Sequence, residues 1–234
     1  MPNIPKYLRE KHVLEAIIPP SGGVTLLDEY FHANSTLMPL TTDLSDVMGN
    51  TWTANGNAAV SNGFLEFDGT GDYLRSDNIG ITQFGKSPWT IEFFLTLLTS
   101  NVGGCNLVDA RSANSGLPFV LGLQGTAANN APYIFDGGSS RNSSVGFATD
   151  VETHIAFVVD AARNLSIYTA GVRGYNAATV VTFSGDAAPT LGWSFGLGLD
   201  AHAKIRGFRI THAARYSGAS FTPPSLPYPE SVIE

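Results

Sequence analysis

From about residue 24 onward the chain is cut into short β-branched and aromatic stretches separated by turn residues, with no helical stretch recurring between them. "TWTA" (51–54), "GFLEF" (63–67), "YLRS" (73–76), "TIEFFLTLL" (90–98) and "LPFVLGL" (117–123) are all strand-sized. So are "HIAFVVD" (154–160), "NLSIYTAG" (164–171), "LGWSFGLGLD" (191–200) and "KIRGFRIT" (204–211). "NGN", "GTGD", "DGGSS" and "DAARN" supply polar or glycine-rich turns between them. Several stretches are apolar on both parities, as strands covered on both faces are. With no strand–helix–strand rhythm, the expectation is an all-β fold, an antiparallel two-sheet sandwich. Composition agrees: only 14% of residues are charged, against 25 glycines and 13 prolines, whereas helical faces are usually rich in Glu, Lys and Arg. A length of 234 residues suits a single such domain.

One strand carries its own irregularity. In "KIRGFRIT", Ile205 lies on one parity and Phe208 and Ile210 on the other. All three reach one core only if an extra residue shifts the register, and Gly207 is the natural bulge position.

Residues 1–23 stand apart. "YLREKHVLEAII" has helix-like spacing of Leu8, Val13, Leu14 and Ile17, and "PPSGG" ends it. It reads either as a short surface helix or as a docking arm that orders on a partner. The expected division is an arm at 1–34 and a β-domain at 35–234.

The bulk numbers close off other classes. A net charge of −7 without a basic stripe argues against nucleic acid. Cys105 is alone and sits among small and apolar residues, so it reads as a buried, inert thiol. The N-terminal charges lack the apolar core of a signal peptide, and no apolar run reaches membrane-spanning length. The expectation is synthesis in a cytoplasm with no membrane insertion. The five histidines show no metal-ligand spacing, and His154, opening a strand, reads as structural. "GLGLDA" lacks the third glycine of a dinucleotide site, and no Gly-x-Ser-x-Gly elbow occurs.

"FDGTGDYLRSDN" (67–78) is the densest acidic stretch with glycines. The simplest reading is a turn in which Asp72 holds backbone N–H groups. Calcium is the alternative, with Asp68 and Asp72 among its ligands, though the ion takes six to eight oxygens and the segment has no EF-hand spacing. A catalytic reading pairs Glu66 with Asp68, which share a strand face roughly 6–7 Å apart. Retaining glycoside hydrolysis needs about 5–5.5 Å, and the strand breaks into Gly69, Thr70 and Gly71 instead of supplying a further acid. No catalytic residue is assigned, and no cofactor other than that calcium is called for. For sugar recognition, Tyr133, Phe135, Asp136 and Asn142 cluster around "DGGSSRNSS". Trp52 and Trp193 are weighed for the same role, but Trp193, inside an apolar stretch, is assigned to the core.

"FLEFDGTGDYL", "TIEFFLTL", "HIAFVVDAARNLSIYTAGV" and "FRITHAARYSGASFTPPSLPYP" together resemble the concanavalin A-like, laminin G-like jelly-roll domains. More narrowly they look like the version found in bacteriophage virion proteins, over residues 35–229. The resemblance implies a jelly roll and a non-enzymatic virion protein, a head decoration or a tail-associated component. Its outward-facing lectin-like domain would be held to other virion proteins by the arm, in many copies or as a homo-oligomer. A glycan-binding adhesin recognising host surface sugars is the alternative, and a glycoside hydrolase of the same fold the minority reading. This chain departs from the pattern in having Arg206 and Gly207 where relatives often carry an acidic pair. It also has "YTAG" where they often carry "YVDG" or "YVNG".

Overall fold

The computed structural model describes residues 28–98, 104–112, 119–126, 129–136, 138–193 and 198–229. In chain order the strands are β1 (Asn34–Met38), β2 (Trp52–Asn55), β3 (Ala59–Ser61), β4 (Phe64–Asp68), β5 (Tyr73–Ser76), β6 (Gln83–Gly85), β7 (Trp89–Leu97), β8 (Cys105–Asp109) and β9 (Val120–Thr126). They continue with β10 (Asn129–Phe135), β11 (Ser140–Asn142), β12 (Thr153–Val159), β13 (Asn164–Thr169), β14 (Val172–Ala178), β15 (Phe183–Ser184), β16 (Thr190–Leu191) and β17 (His202–Thr211). One eight-stranded sheet runs β14-β13-β12-β7-β17-β4-β3 with β1 also on β17, and a seven-stranded sheet runs β11-β10-β9-β8-β16-β5-β2. Every pairing is antiparallel, as the short strands without crossover helices led one to expect. No helix among the described residues is long and apolar enough to cross a membrane.

The core lies between the two sheets. Trp89, Phe93, Phe119, Phe157, Phe183 and Phe208 are fully enclosed there, each contributing on the order of 1.5–3 kcal/mol by leaving water. Cys105 is buried among them. The strand β12 is buried at every position: Ile155, Phe157 and Val159 face the core, while Ala156 and Val158 pack on the other face with Tyr168 beneath Tyr216 and Phe221. The second apolar parity is thus explained by a covered outer face.

The irregularity in β17 is where the sequence puts it. The register with β7 shifts between Arg206 and Arg209, Gly207 takes φ +57°, and Ile205, Phe208 and Ile210 are all buried. The shift also divides the strand's other edge: His202–Ile205 pair with β4 and Phe208–Thr211 with β1. The stretch "LGWSFGLGLD" departs from expectation. Only Thr190–Leu191 form strand, and Gly192, at φ +87°, turns the chain out of the sheet before Trp193.

Residues 212–229 form a strap across the outer face of the eight-stranded sheet. Its Tyr216 and Phe221 rings lie parallel, centroids 3.7 Å apart. The N–H of Phe221 donates to the carbonyl of Gly171, and the hydroxyl of Tyr168 to that of Gly218. Beneath the strap sits Glu92, fully buried. Its Oε1 accepts from Nε and Nη2 of Arg209 at 2.9 and 2.7 Å. Its Oε2 accepts from the Tyr216 hydroxyl and from Nε2 of His154, at 2.5 and 2.9 Å. Arg215 forks onto Asp28 at 2.8 and 2.7 Å, and Asp28 also meets Arg209. Burial alone would raise the Glu92 carboxyl, but the Arg209 charge, the His154 hydrogen bond and Arg215 together hold it well below the carboxylate range. Asp28 is lowered too: burial opposes, and Arg215 and Arg209 prevail. The closing "FRIT…ARY…FTPP" segment is therefore a clamp: Arg209 in the strand, Arg215 and Tyr216 at the start of the strap, Phe221 at its seat.

The "YTAG" departure has a backbone meaning. Thr169 pairs with Val172, and the two intervening residues, Ala170 and Gly171, both have positive φ (51° and 79°). That is a type I′ hairpin turn, whose first position suits Asn or Asp; Ala170 makes the same turn without the polar side chain.

Candidate functional site

The loop after β4 closes on Asp72. Its buried carboxylate accepts from the N–H of Asn57 at 2.7 Å and of Asp68 at 2.9 Å. Asp68 is exposed and accepts from the Thr70 N–H and the Asn57 amide, while Gly71 donates to Asp200. Each of these contacts ties backbone or amide groups within the corner. Among the described residues no group of three or more His, Cys, Asp or Glu side chains is disposed to hold a metal ion. Removing the Asp72 carboxylate orphans two backbone donors, so Asp72→Ala is expected to cost about 1–3 kcal/mol. The same midpoint shift in urea should appear with and without chelator; a wild-type melting temperature that drops on adding chelator would reassign the loop to calcium.

Glu66 and Asp68 do share a face, since Leu65 and Phe67 between and beside them point into the core. That face is the outside of the eight-stranded sheet, where Glu66 pairs with Lys204 at 2.8 Å and Asp68 binds Asn57. The two carboxylates are spoken for, and they lie on the other sheet from the half-buried rings of Tyr73, Tyr133, Phe135 and Trp193.

The outer face of the seven-stranded sheet follows from its register. Ile134, Leu121, Val108, Leu191 and Leu74 pair in sequence across five strands and are all buried in the core. Directly opposed residues share a face, so the alternate row Phe135–Val120–Asp109–Thr190–Arg75–Thr53 points outward. A second outward row runs Asn142–Tyr133–Gly122–Asn106, and on β5 Tyr73, two residues before the outward Arg75, faces the same way. The two ends are open and the middle is closed: Val120, Asp109 and Thr190 are buried, while Tyr133, Phe135, Tyr73 and Trp193 are half-buried and Asn142 and Arg75 exposed. Four strand spacings of about 4.8 Å put the two aromatic ends roughly 19 Å apart.

Each end is built differently. At the first, the Tyr133 ring lies over Gly122, where a Cβ would come within 2.7 Å of it, and its hydroxyl donates to Asn106. Burial pushes that phenol up to about 12, with the neighbouring Cys105 adding to it, so it stays a donor at ordinary pH. At the second, Tyr73 and Trp193 stack with centroids 5.0 Å apart and planes 24° from parallel. Beside them a cavity of about 90 Å³ is walled by Trp193, Arg75, Thr190, Asp109 and Arg111. Arg111 forks onto Asp109 at 2.9 and 2.7 Å, a buried bidentate pair that fixes the cavity wall.

The four sugar candidates separate. Tyr133, Phe135 and Asn142 stand together on the outward face, Asn142 directly opposite Tyr133. Asp136 is buried, and its carboxylate accepts from Gly138, Ser139 and Arg141, so it anchors the turn between β10 and β11. Trp52 is buried against Phe208. Trp193, assigned to the core by its apolar neighbours, instead sits half-exposed on Tyr73, because the chain has already left the sheet at Gly192. Sequence reasoning passed over Tyr73, Arg75, Asn106, Asp109 and Arg111; the alternation Tyr73–Arg75 beside buried Leu74 was the available signal. The docking-arm residues Leu8, Val13, Leu14 and Ile17 lie outside the described residues.

No known family pattern and no curated protein sequence matches the chain; similarity is found in three-dimensional shape. Domain 4 of a GH43 extracellular arabinanase from Geobacillus stearothermophilus, solved with arabinotriose, superposes with a TM-score of 0.60 at 17% identity, covering 77% of this chain and 93% of that one. The receptor-binding domain of botulinum neurotoxin C/D mosaic serotype gives 0.60 at 14%, covering 80% and 49%. Trypanosoma rangeli sialidase in complex with sialic acid gives 0.61 at 13%, covering 86% of this chain but only 34% of the enzyme. At such identities the likeness establishes a shared β-sandwich fold.

Proposed function

We propose that the domain binds saccharide chains, without performing chemistry on them, on the outer face of the seven-stranded sheet. The observation that carries the reading is that face itself. Half-exposed rings at both ends offer apolar faces to sugar rings, and Asn106, Asn142, Thr190 and the Asp109–Arg111 pair lie on the same side. Ligand sites commonly combine aromatic walls with a few fixed polar groups in this way. The superposed arabinanase domain, solved with arabinotriose, is a further support for the class. Against catalysis stands the placement of Glu66 and Asp68 on the outside of the eight-stranded sheet, engaged by Lys204 and Asn57.

The setting is the second part of the proposal: a multicopy accessory protein on a phage-type particle, held by the N-terminal arm (1–34) through Leu8, Val13, Leu14 and Ile17. It is supported by the resemblance of the strand and closing-segment motifs, and mass spectrometry of purified particles tests it, since absence from them would remove it. The binding reading is tested on a glycan array with the purified protein. Wild type should bind, and Trp193→Ala should bind at least tenfold more weakly, a loss of about 1.4 kcal/mol, with an unchanged melting temperature. A wild-type protein that binds no glycan, or a Trp193→Ala variant that binds equally well, overturns the site.

A further inference from the structure

Resting on the saccharide-binding reading above, we infer that the cavity beside Trp193 selects sugars bearing an anionic substituent, and that Arg75 is the residue that reads it. Arg75 is an exposed cation at the lip of this cavity. Among the described residues no carboxylate pairs with it, and its cross-strand neighbours on the two sides are Thr190 and Thr53, both neutral. The other charges at the cavity cancel, because both oxygens of Asp109 are taken by Arg111. Nearby Asp186 is occupied by the N–H and hydroxyl of Ser112. The lining residues Arg75, Asp109 and Arg111 therefore sum to about +1, while Asp186, outside the lining, keeps its own negative charge against the neutral Ser112. A guanidinium with no carboxylate partner among the described residues, set beside a stacked aromatic pair, is arranged for a ligand that brings its own negative charge.

Size narrows what enters. At about 90 Å³ the cavity is well below the roughly 300–1,000 Å³ of sites that enclose a whole small molecule. It takes a substituent while the ring lies outside, against Trp193. The planar fork of an arginine matches a carboxylate through two parallel hydrogen bonds and also binds the tetrahedral oxygens of a sulfate. Both are anionic substituents on a sugar, and paired probes tell them apart.

The test measures the purified protein against 3′-sialyllactose and trigalacturonate (carboxylates), 6-sulfo-galactose glycans (sulfate), and the neutral partners lactose and galactotriose, on an array and by titration calorimetry. Acidic probes should bind at least tenfold more tightly than their neutral partners. Arg75→Gln should erase that ratio without shifting the melting temperature, and Arg75→Lys, which keeps the charge but not the fork, should restore part of it for carboxylates. Equal binding of charged and neutral partners, or an Arg75→Gln variant that keeps the preference, overturns this inference and leaves the saccharide reading standing. Failure to bind any glycan overturns both.

Discussion

Glu92→Ala is expected to lower the free energy of unfolding by about 3–5 kcal/mol, because it leaves the buried Arg209 guanidinium without its counter-charge. The carboxylate is the hub of the clamp: Arg209, His154 and Tyr216 all donate to it. Urea unfolding at neutral pH, followed by tryptophan fluorescence, measures the loss, and a change under 1 kcal/mol would show that the cluster is ornamental to stability. Acid should act in the same direction. Glu92 and Asp28 both have folded values below their ordinary 4.5 and 3.8. A depressed folded value means that the contribution is complete above the unfolded value and is lost as pH falls through the folded one. Stability should therefore be flat down to the ordinary carboxylate range and fall below it, and Glu92→Ala should flatten that fall.

Gly171→Ala is expected to cost about 2–5 kcal/mol. Roughly 1–2 kcal/mol comes from placing a Cβ on a left-handed backbone, and about 1–3 from overpacking. The added carbon would sit 2.1 Å from the carbonyl oxygen of Phe221, a backbone atom that cannot swing aside. The strap's own hydrogen bond, Phe221 N–H to Gly171 carbonyl, lies at the same spot. Hydrogen exchange should therefore rise first at Phe221 and at Arg173, whose N–H is held by Ala219. An unchanged melting temperature with unchanged exchange at Phe221 would mean that the strap is not seated on this turn.

Most of the sandwich was legible because strands and turns differ in composition. The bulge at Gly207 was legible as well, because three buried residues on two parities admit few solutions. Which face of each strand looks outward was not. In β7 and β12 both faces are covered, one by the opposite sheet and one by the strap, so alternation carries no information there. Glu92 left a trace that could have been followed: a lone acid in an apolar strand must be paired if buried, and Arg209, in the other strand buried at this level, is its direct cross-strand partner. Trp193 was misplaced because apolar neighbours were taken as continuing the strand, whereas Gly192 had ended it. The Asp109–Arg111 fork spans two residues in sequence, yet its meaning depends on β16 and β5 lying alongside, which no local pattern encodes.

The clamp also marks one side of the sandwich. Asp28, Glu29 and Pro229 wall a single cavity of about 250 Å³ over Arg209 and Arg215. That cavity lies on the outside of the eight-stranded sheet, so the clamp and the aromatic rings of the seven-stranded sheet occupy opposite faces of the sandwich, and a ligand on the rings leaves the clamp uncovered.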